Sequence, residues 1–188
     1  MEQLYRFIRN YVPLSVEDER FVSECFRVKH LQKNEYLVRK GTVCRHKWYC
    51  TKGIAKAVFL LENGEEKVIG FHLENTFFTQ SESYEHEQPS PVSIQSITDM
   101  HVYELSKIDE QKLMGNTSYA KFLHSHLKHE YIQYQKTMRN ITYLDGAERY
   151  NYLISYFPNI LQYAKQKDVA SFIGVSPERL SRIRHTFS

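Results

Sequence analysis

No stretch of this chain approaches the ~20 consecutive apolar residues that a bilayer-spanning helix needs. Residues 1–6, Met-Glu-Gln-Leu-Tyr-Arg, lack the basic region and unbroken apolar run of a secretory signal. No membrane partner is expected, and a cytoplasmic location is. Charge of one sign is also missing. The 25 Lys and Arg against 22 Asp and Glu leave a net +3, so no global field announces a polyanion partner and any basic patch must be local. Cysteine is scarce: Cys25, Cys44 and Cys50 are odd in number and lack C-x-x-C spacing, which predicts reduced, buried thiols instead of a zinc or disulfide framework.

Catalytic constellations are absent too. The chain has no Gly-rich phosphate loop, no Ser-His-Asp order and no Cys-His arrangement, so an enzyme is not expected. The rival class is a cupin-like metalloenzyme, which needs His-x-His on a strand. The one His-x-His, at His124 and His126, falls in a predicted helix. Residues two apart there point about 200° away from each other. His126 and Glu130, four apart, read as a surface pair. His46, His72 and His101 read as satisfied or exposed strand histidines. No metal and no cofactor is expected.

What is present is a 41% hydrophobic chain able to fill a core. Leu4, Phe7, Ile8 and Tyr11 sit at helical spacing, and Ser15 is placed to cap a second helix through Asp18, Phe21 and Val22. From about residue 25 to Leu105 the pattern is one of short Val-, Ile-, Phe-, Tyr- and Thr-rich segments punctuated by turns. Residues 55–61 and 65–71 flank Asn63-Gly64, predicting a hairpin with positive φ at both central residues. Ser106 suits the cap of a short helix through Leu113, and residues 116–141 run about seven turns without Gly or Pro. Leu127, Tyr131, Tyr134, Met138 and Ile141 step by four, three, four and three, the spacing of a coiled-coil seam. The stripe can serve a dimer or lie against the β region; periodicity alone leaves both open. Asp145-Gly146 breaks this helix, and residues 147–157 form another, stopped by Pro158.

The last segment has the chemistry. Val169, Ala170 and Ile173 give one apolar face, and Gly174 can take the left-handed conformation that ends a helix. Ser176 can cap the next helix, Pro177 fits its first position, and Leu180 and Ile183 point to the core. That is the pattern of a helix-turn-helix. Its outer face is left with Glu178, Arg179, Ser181, Arg182 and His185. Arg can grip guanine bidentately, Glu can accept from cytosine N4, and Ser can bond bases or phosphate. From Lys165 onward five Lys and Arg face Asp168 and Glu178, a local excess of three suited to phosphate. An ordinary solvated helical hairpin would read the same way locally.

Asp168-Val169-Ala170, Gly174 and Ser176-Pro177-Glu178-Arg179-Leu180-Ser181-Arg182, set behind a Gly-punctuated β region, a long helix and Glu148-Arg149-Tyr150, resemble a Crp/Fnr (catabolite activator-like) transcription regulator. The resemblance implies an α+β fold: N-terminal helices and a cyclic-nucleotide-binding-like β-roll (a double-stranded β-helix) over 1–115, a dimerisation helix over 116–142, and a DNA-binding helix-turn-helix over 143–188. It implies double-stranded DNA, a second copy of the chain and RNA polymerase as partners, with Ser176, Glu178, Arg179, Ser181, Arg182 and Arg184 on DNA. Glu178 and Arg182 would stand at the base-reading positions. The chain departs from the family's pattern twice. The sequence as given runs to Ser188 just after the recognition helix, so a unit lacking a wing is expected. Relatives that bind cyclic AMP use a Gly-Glu pair and an Arg-Ser pair, and Ser90-Pro91 stands where Arg-Ser would. Cyclic AMP binding is not expected, and iron–sulfur sensing has no clustered cysteines. A small-molecule effector of another kind stays open, with Glu74, Asn75, Ser90, Val92 and Ser93 expected to line its pocket. The remaining rival is an interaction or scaffold protein that keeps the roll but does not bind DNA.

Overall fold

The computed structural model describes residues 1–186; the last two residues of the unit expected over 143–188 lie outside it. Two helices open the chain, α1 (Glu2–Arg9) and α2 (Val16–Cys25). Ser15 caps α2 through a reciprocal box with Asp18, as the Ser-x-x-Asp spacing allows. Eight strands come next: β1 (Phe26–Leu31), β2 (Tyr36–Val38), β3 (His46–Lys52), β4 (Ala55–Leu60), β5 (Glu66–His72), β6 (Phe77–Phe78), β7 (Val92–Ser96) and β8 (Met100–Ser106). A short helix, α3 (Ser81–His86), lies between β6 and β7. The strands form two antiparallel sheets, ordered β1-β8-β3-β6 and β2-β7-β4-β5. Alternating side chains such as Val92 and Ile94 turn inward and meet Trp48, Phe78, Tyr84 and Met100 from the rest of the roll.

The β4–β5 hairpin differs from expectation. Only Gly64 has positive φ (82°), and Asn63 instead accepts the Glu65 N–H through its side-chain oxygen. The Gly64 N–H bonds Leu61 O at 3.0 Å and the Leu61 N–H bonds Glu65 O at 2.9 Å. The loop is therefore longer than a two-residue turn, with a single left-handed glycine closing it.

Helix α4 (Lys107–Leu113) is capped by Ser106, and α5 (Thr117–Tyr143) by Asn116. Only the first third of α5 is buried, through Tyr119, Phe122 and His126 against α1 and the outer face of the roll. His126 corrects the sequence reading. It turns inward, where its Nδ1 lies 3.3 Å from the Tyr11 hydroxyl and its ring stacks on Phe122, and it is not a surface partner of Glu130. All three cysteines are free and buried.

Four helices complete the chain: α6 (Gly146–Tyr156), α7 (Ile160–Tyr163), α8 (Gln166–Ile173) and α9 (Pro177–Thr186). They share a core with the roll. Val58, Val68 and Phe71 from the β4–β5 face pack with Leu153, Ile160 and Val169. Each such side chain contributes about 2 kcal/mol on burial. No helix among the described residues is long and apolar enough to cross a membrane.

Candidate nucleic-acid interface

Helices α8 and α9 are joined by three residues, and the junction is built as the sequence suggests. Gly174 sits at φ 70°, and the Val175 N–H reaches back to Ala170 O at 3.0 Å, satisfying an end carbonyl of α8. The Ser176 side chain accepts the Arg179 N–H at 3.2 Å. Val169, Ala170 and Ile173 of α8 and Leu180 and Ile183 of α9 are buried in one cluster. That packing fixes the roll angle of α9 and turns Glu178, Arg179, Arg182, Arg184 and His185 to solvent, with Ser181 half-buried beside them. The Ser176 hydroxyl, the residue's own backbone N–H and the nearby Arg182 hold the Glu178 carboxyl below the usual carboxylate range. Glu178 is thus an anionic acceptor beside cationic donors.

Two residues support this unit in ways the sequence reading did not assign. Arg149 donates through Nε to Ile173 O (2.7 Å) and through Nη1 to Leu144 O (2.8 Å), tying the ends of α8 and α5 together. Gly146 is the first residue of α6 and not merely a helix breaker; a Cβ there would lie 2.8 Å from Val175 Cγ1, so α6 and the α8–α9 turn approach as closely as they do only with glycine. The signal was present in Asp145-Gly146-Ala-Glu148, where Asp145 and Glu148 form a capping box.

The unit is seated on the roll. Lys56 Nζ lies 3.1 Å from Asp168 Oδ2, with both side chains under a tenth exposed. Ser171 Oγ accepts the Val68 N–H at 3.0 Å, occupying a donor on the free edge of β5. Phe172 packs on Phe71 with ring centroids 5.3 Å apart. None of these cross-unit partners was predicted.

The α5 stripe stands open. Leu127, Tyr131, Tyr134, Met138 and Ile141 are between 41% and 61% exposed. They do not pack on the roll.

The five residues expected to line an effector pocket are not brought together. Glu74 accepts the Gly53 N–H at 2.9 Å, beside the turn between β3 and β4. Asn75 accepts from Tyr49 and Gln3 on the α1 side. Ser90 is buried and closes on its own strand, with Oγ donating to Val92 O and accepting the Val92 N–H, and Val92 turns into the core. Ser93 accepts the Lys40 N–H. The start of α3 is likewise self-satisfied, since the Gln80 side chain accepts the Ser83 N–H. The Ser90 hydroxyl is thus already committed within its own strand.

Residues 28–117 match the cyclic nucleotide-binding domain family. The roll has the cyclic nucleotide-binding fold. No curated protein matches the chain. Among solved structures, FixK2 from Bradyrhizobium japonicum is similar over 86% of this chain and 84% of its own, at 17% identity and a TM-score of 0.72. CLP from Xanthomonas campestris, a c-di-GMP responsive global regulator, is similar over 92% and 91%, at 13% and 0.69. A protein of the crp/fnr family from Eubacterium rectale is similar over 95% and 87%, at 14% and 0.68. The Xanthomonas and Eubacterium proteins are described as regulators, and at such identities the likeness is one of fold. It extends past the cyclic nucleotide-binding domain into the long helix and the helices behind it.

Proposed function

We propose that this chain is a sequence-specific DNA-binding regulator of the Crp/Fnr type, reading a pseudo-palindromic site as a homodimer through a helix-turn-helix formed by α8 and α9. The observation that carries the reading is the two-faced α9. Leu180 and Ile183 anchor it, while Glu178, Arg179 and Arg182 project together at its N-terminal half. That is the end of a recognition helix that meets base edges. The open α5 stripe supplies the pairing surface, which would set two such helices about one duplex turn apart. The self-bonded Ser90 and the Gln80-capped α3 favour a roll that does not bind cyclic AMP. A calorimetric titration with cyclic AMP is expected to give no heat of binding.

The test is selection from a random duplex library by the purified chain, in parallel with Arg182→Ala. An enriched two-fold symmetric motif is expected from the parent, with affinity that falls steeply as salt rises. No enrichment would favour the interaction-protein reading.

A further inference from the structure

A cleft of about 470 Å3 opens where the roll meets the C-terminal helices, away from the roll interior. Its floor is apolar: Ile54 and Leu73 from the roll, Phe157 and Ile160 from the α6–α7 connection, and the ring of Tyr163. Its rim is charged. Lys52, Glu74 and Asp99 all line it, Lys52 forms no ion pair with either carboxylate, and Asp99 commits one oxygen to the Lys33 N–H. The Lys52 ammonium has no hydrogen bond or ion pair among the described residues, while Glu74 commits one oxygen to the Gly53 N–H and leaves its second free. The rim is rigid by construction. Gly53 has φ 94°, and a Cβ there would come within 2.4 Å of Asp99 O; Thr98 accepts the Ile54 N–H at 3.0 Å. These bonds hold the turns between β3 and β4 and between β7 and β8 against each other, so the backbone that carries Lys52 and Asp99 is fixed beside the Glu74 carboxylate.

We propose that this cleft binds a small zwitterion with an apolar side chain, of the class of a free apolar amino acid or a dipeptide. A carboxylate would pair with Lys52, an ammonium with the spare oxygen of Glu74, and the side chain would cover the floor. A fatty or aromatic acid would satisfy Lys52 but leave Glu74 and Asp99 facing it as like charges, and a polyamine would satisfy the carboxylates but meet Lys52 as a like charge. Because the ligand would touch the β3–β4 turn and the α6–α7 connection at once, its binding energy would depend on how the helical unit sits on the roll. The site stands without the DNA-binding reading; only its consequence for DNA rests on it.

Calorimetry on the full chain with L-phenylalanine and L-phenylalanyl-L-leucine tests it. Saturable binding of at least one probe is expected, weakened about tenfold or more when the amine is acetylated, when the carboxylate is amidated, and in Lys52→Gln or Glu74→Gln. Both variants change exposed side chains, and Gln at 74 keeps an acceptor for Gly53. Absence of binding by both probes at millimolar concentration, or binding unchanged in either variant, overturns the site. A chain that binds the probe but enriches no DNA motif would overturn the DNA-binding reading and leave the site standing. Unchanged affinity for an established motif with the cleft filled would overturn the coupling.

Discussion

His72 and His126 show how burial can set a side chain against its own charge. His72 stacks flat on Phe78 with ring centroids 4.4 Å apart, and its Nε2 is buried without a partner among the described residues. The sequence reading of it as a satisfied or exposed strand histidine was wrong, because strand alternation says which face a residue takes and not whether that face holds an acceptor. Burial pulls His72 down to about 4, and burial, with His129 and Lys47 adding repulsion, does the same to His126. In the unfolded chain each protonates near the ordinary 6.5. The unfolded state thus binds more protons between pH 6.5 and 4, so stability is full above that window and is lost as pH falls through it. Each histidine adds a slope of up to ~1.4 kcal/mol per pH unit. Urea midpoints at pH 7 and pH 5 are expected to separate, and His72→Phe with His126→Phe to bring them together; an unaltered separation in the double variant would place the titration elsewhere. His72→Leu is expected to stabilise at pH 7 by about 1–2 kcal/mol, because it removes an unsatisfied polar atom. On the DNA-reading face, Arg182→Ala is expected to cost about 1–3 kcal/mol of specific binding with an unchanged melting temperature. Fluorescence anisotropy on the selected duplex reads the first and a thermal melt the second.

Among the elements, α5 is the one whose two ends obey different rules. Its start is an ordinary amphipathic helix docked through Tyr119, Phe122 and His126, and the heptad stripe begins where that docking ends. An apolar row left in water on a helix this long marks an association surface. Leu127→Glu with Ile141→Glu is expected to yield monomers by sedimentation while the roll keeps its far-UV spectrum; a dimer that survives both substitutions would remove the stripe from the interface. The sequence reading left seam and internal packing both open. The exposure of the five side chains favours the seam, since a monomer gives them nothing to cover. Helix α7 was not separately legible in the sequence, because a one-turn helix carries no periodicity to detect.

For the whole molecule, the connection between roll and helical unit matters most. Lys56 and Asp168 are 112 residues apart in sequence and nearly dry in the fold. Removing one partner of such a pair strands the other, whereas replacing both with apolar groups of similar size can be neutral. Lys56→Met is therefore expected to destabilise by about 3–5 kcal/mol and Lys56→Met with Asp168→Leu by much less, as read by denaturant midpoints. Equal losses in the single and double variants would show that the pair does not act as a unit. Val68 to Ser171 and Phe71 to Phe172 lie in the same seam, so the position of α8 and α9 is set by the edge of the β2-β7-β4-β5 sheet.

The elements and the two-faced α9 were determined by the sequence itself, because they rest on local chemistry: Ser15, Ser106 and Asn116 cap α2, α4 and α5, Gly174 takes the turn, and Leu180 and Ile183 return to the core at helical spacing. What the tertiary structure alone decided lies between residues far apart in the chain. The separation of Glu74, Asn75, Ser90 and Ser93, the Arg149 tie across two helix ends, the Lys56–Asp168 pair and the cleft above Ile54 and Ile160 all depend on which surfaces meet. Local periodicity specifies the face each element buries, and the partner for that face is chosen only when the whole chain packs.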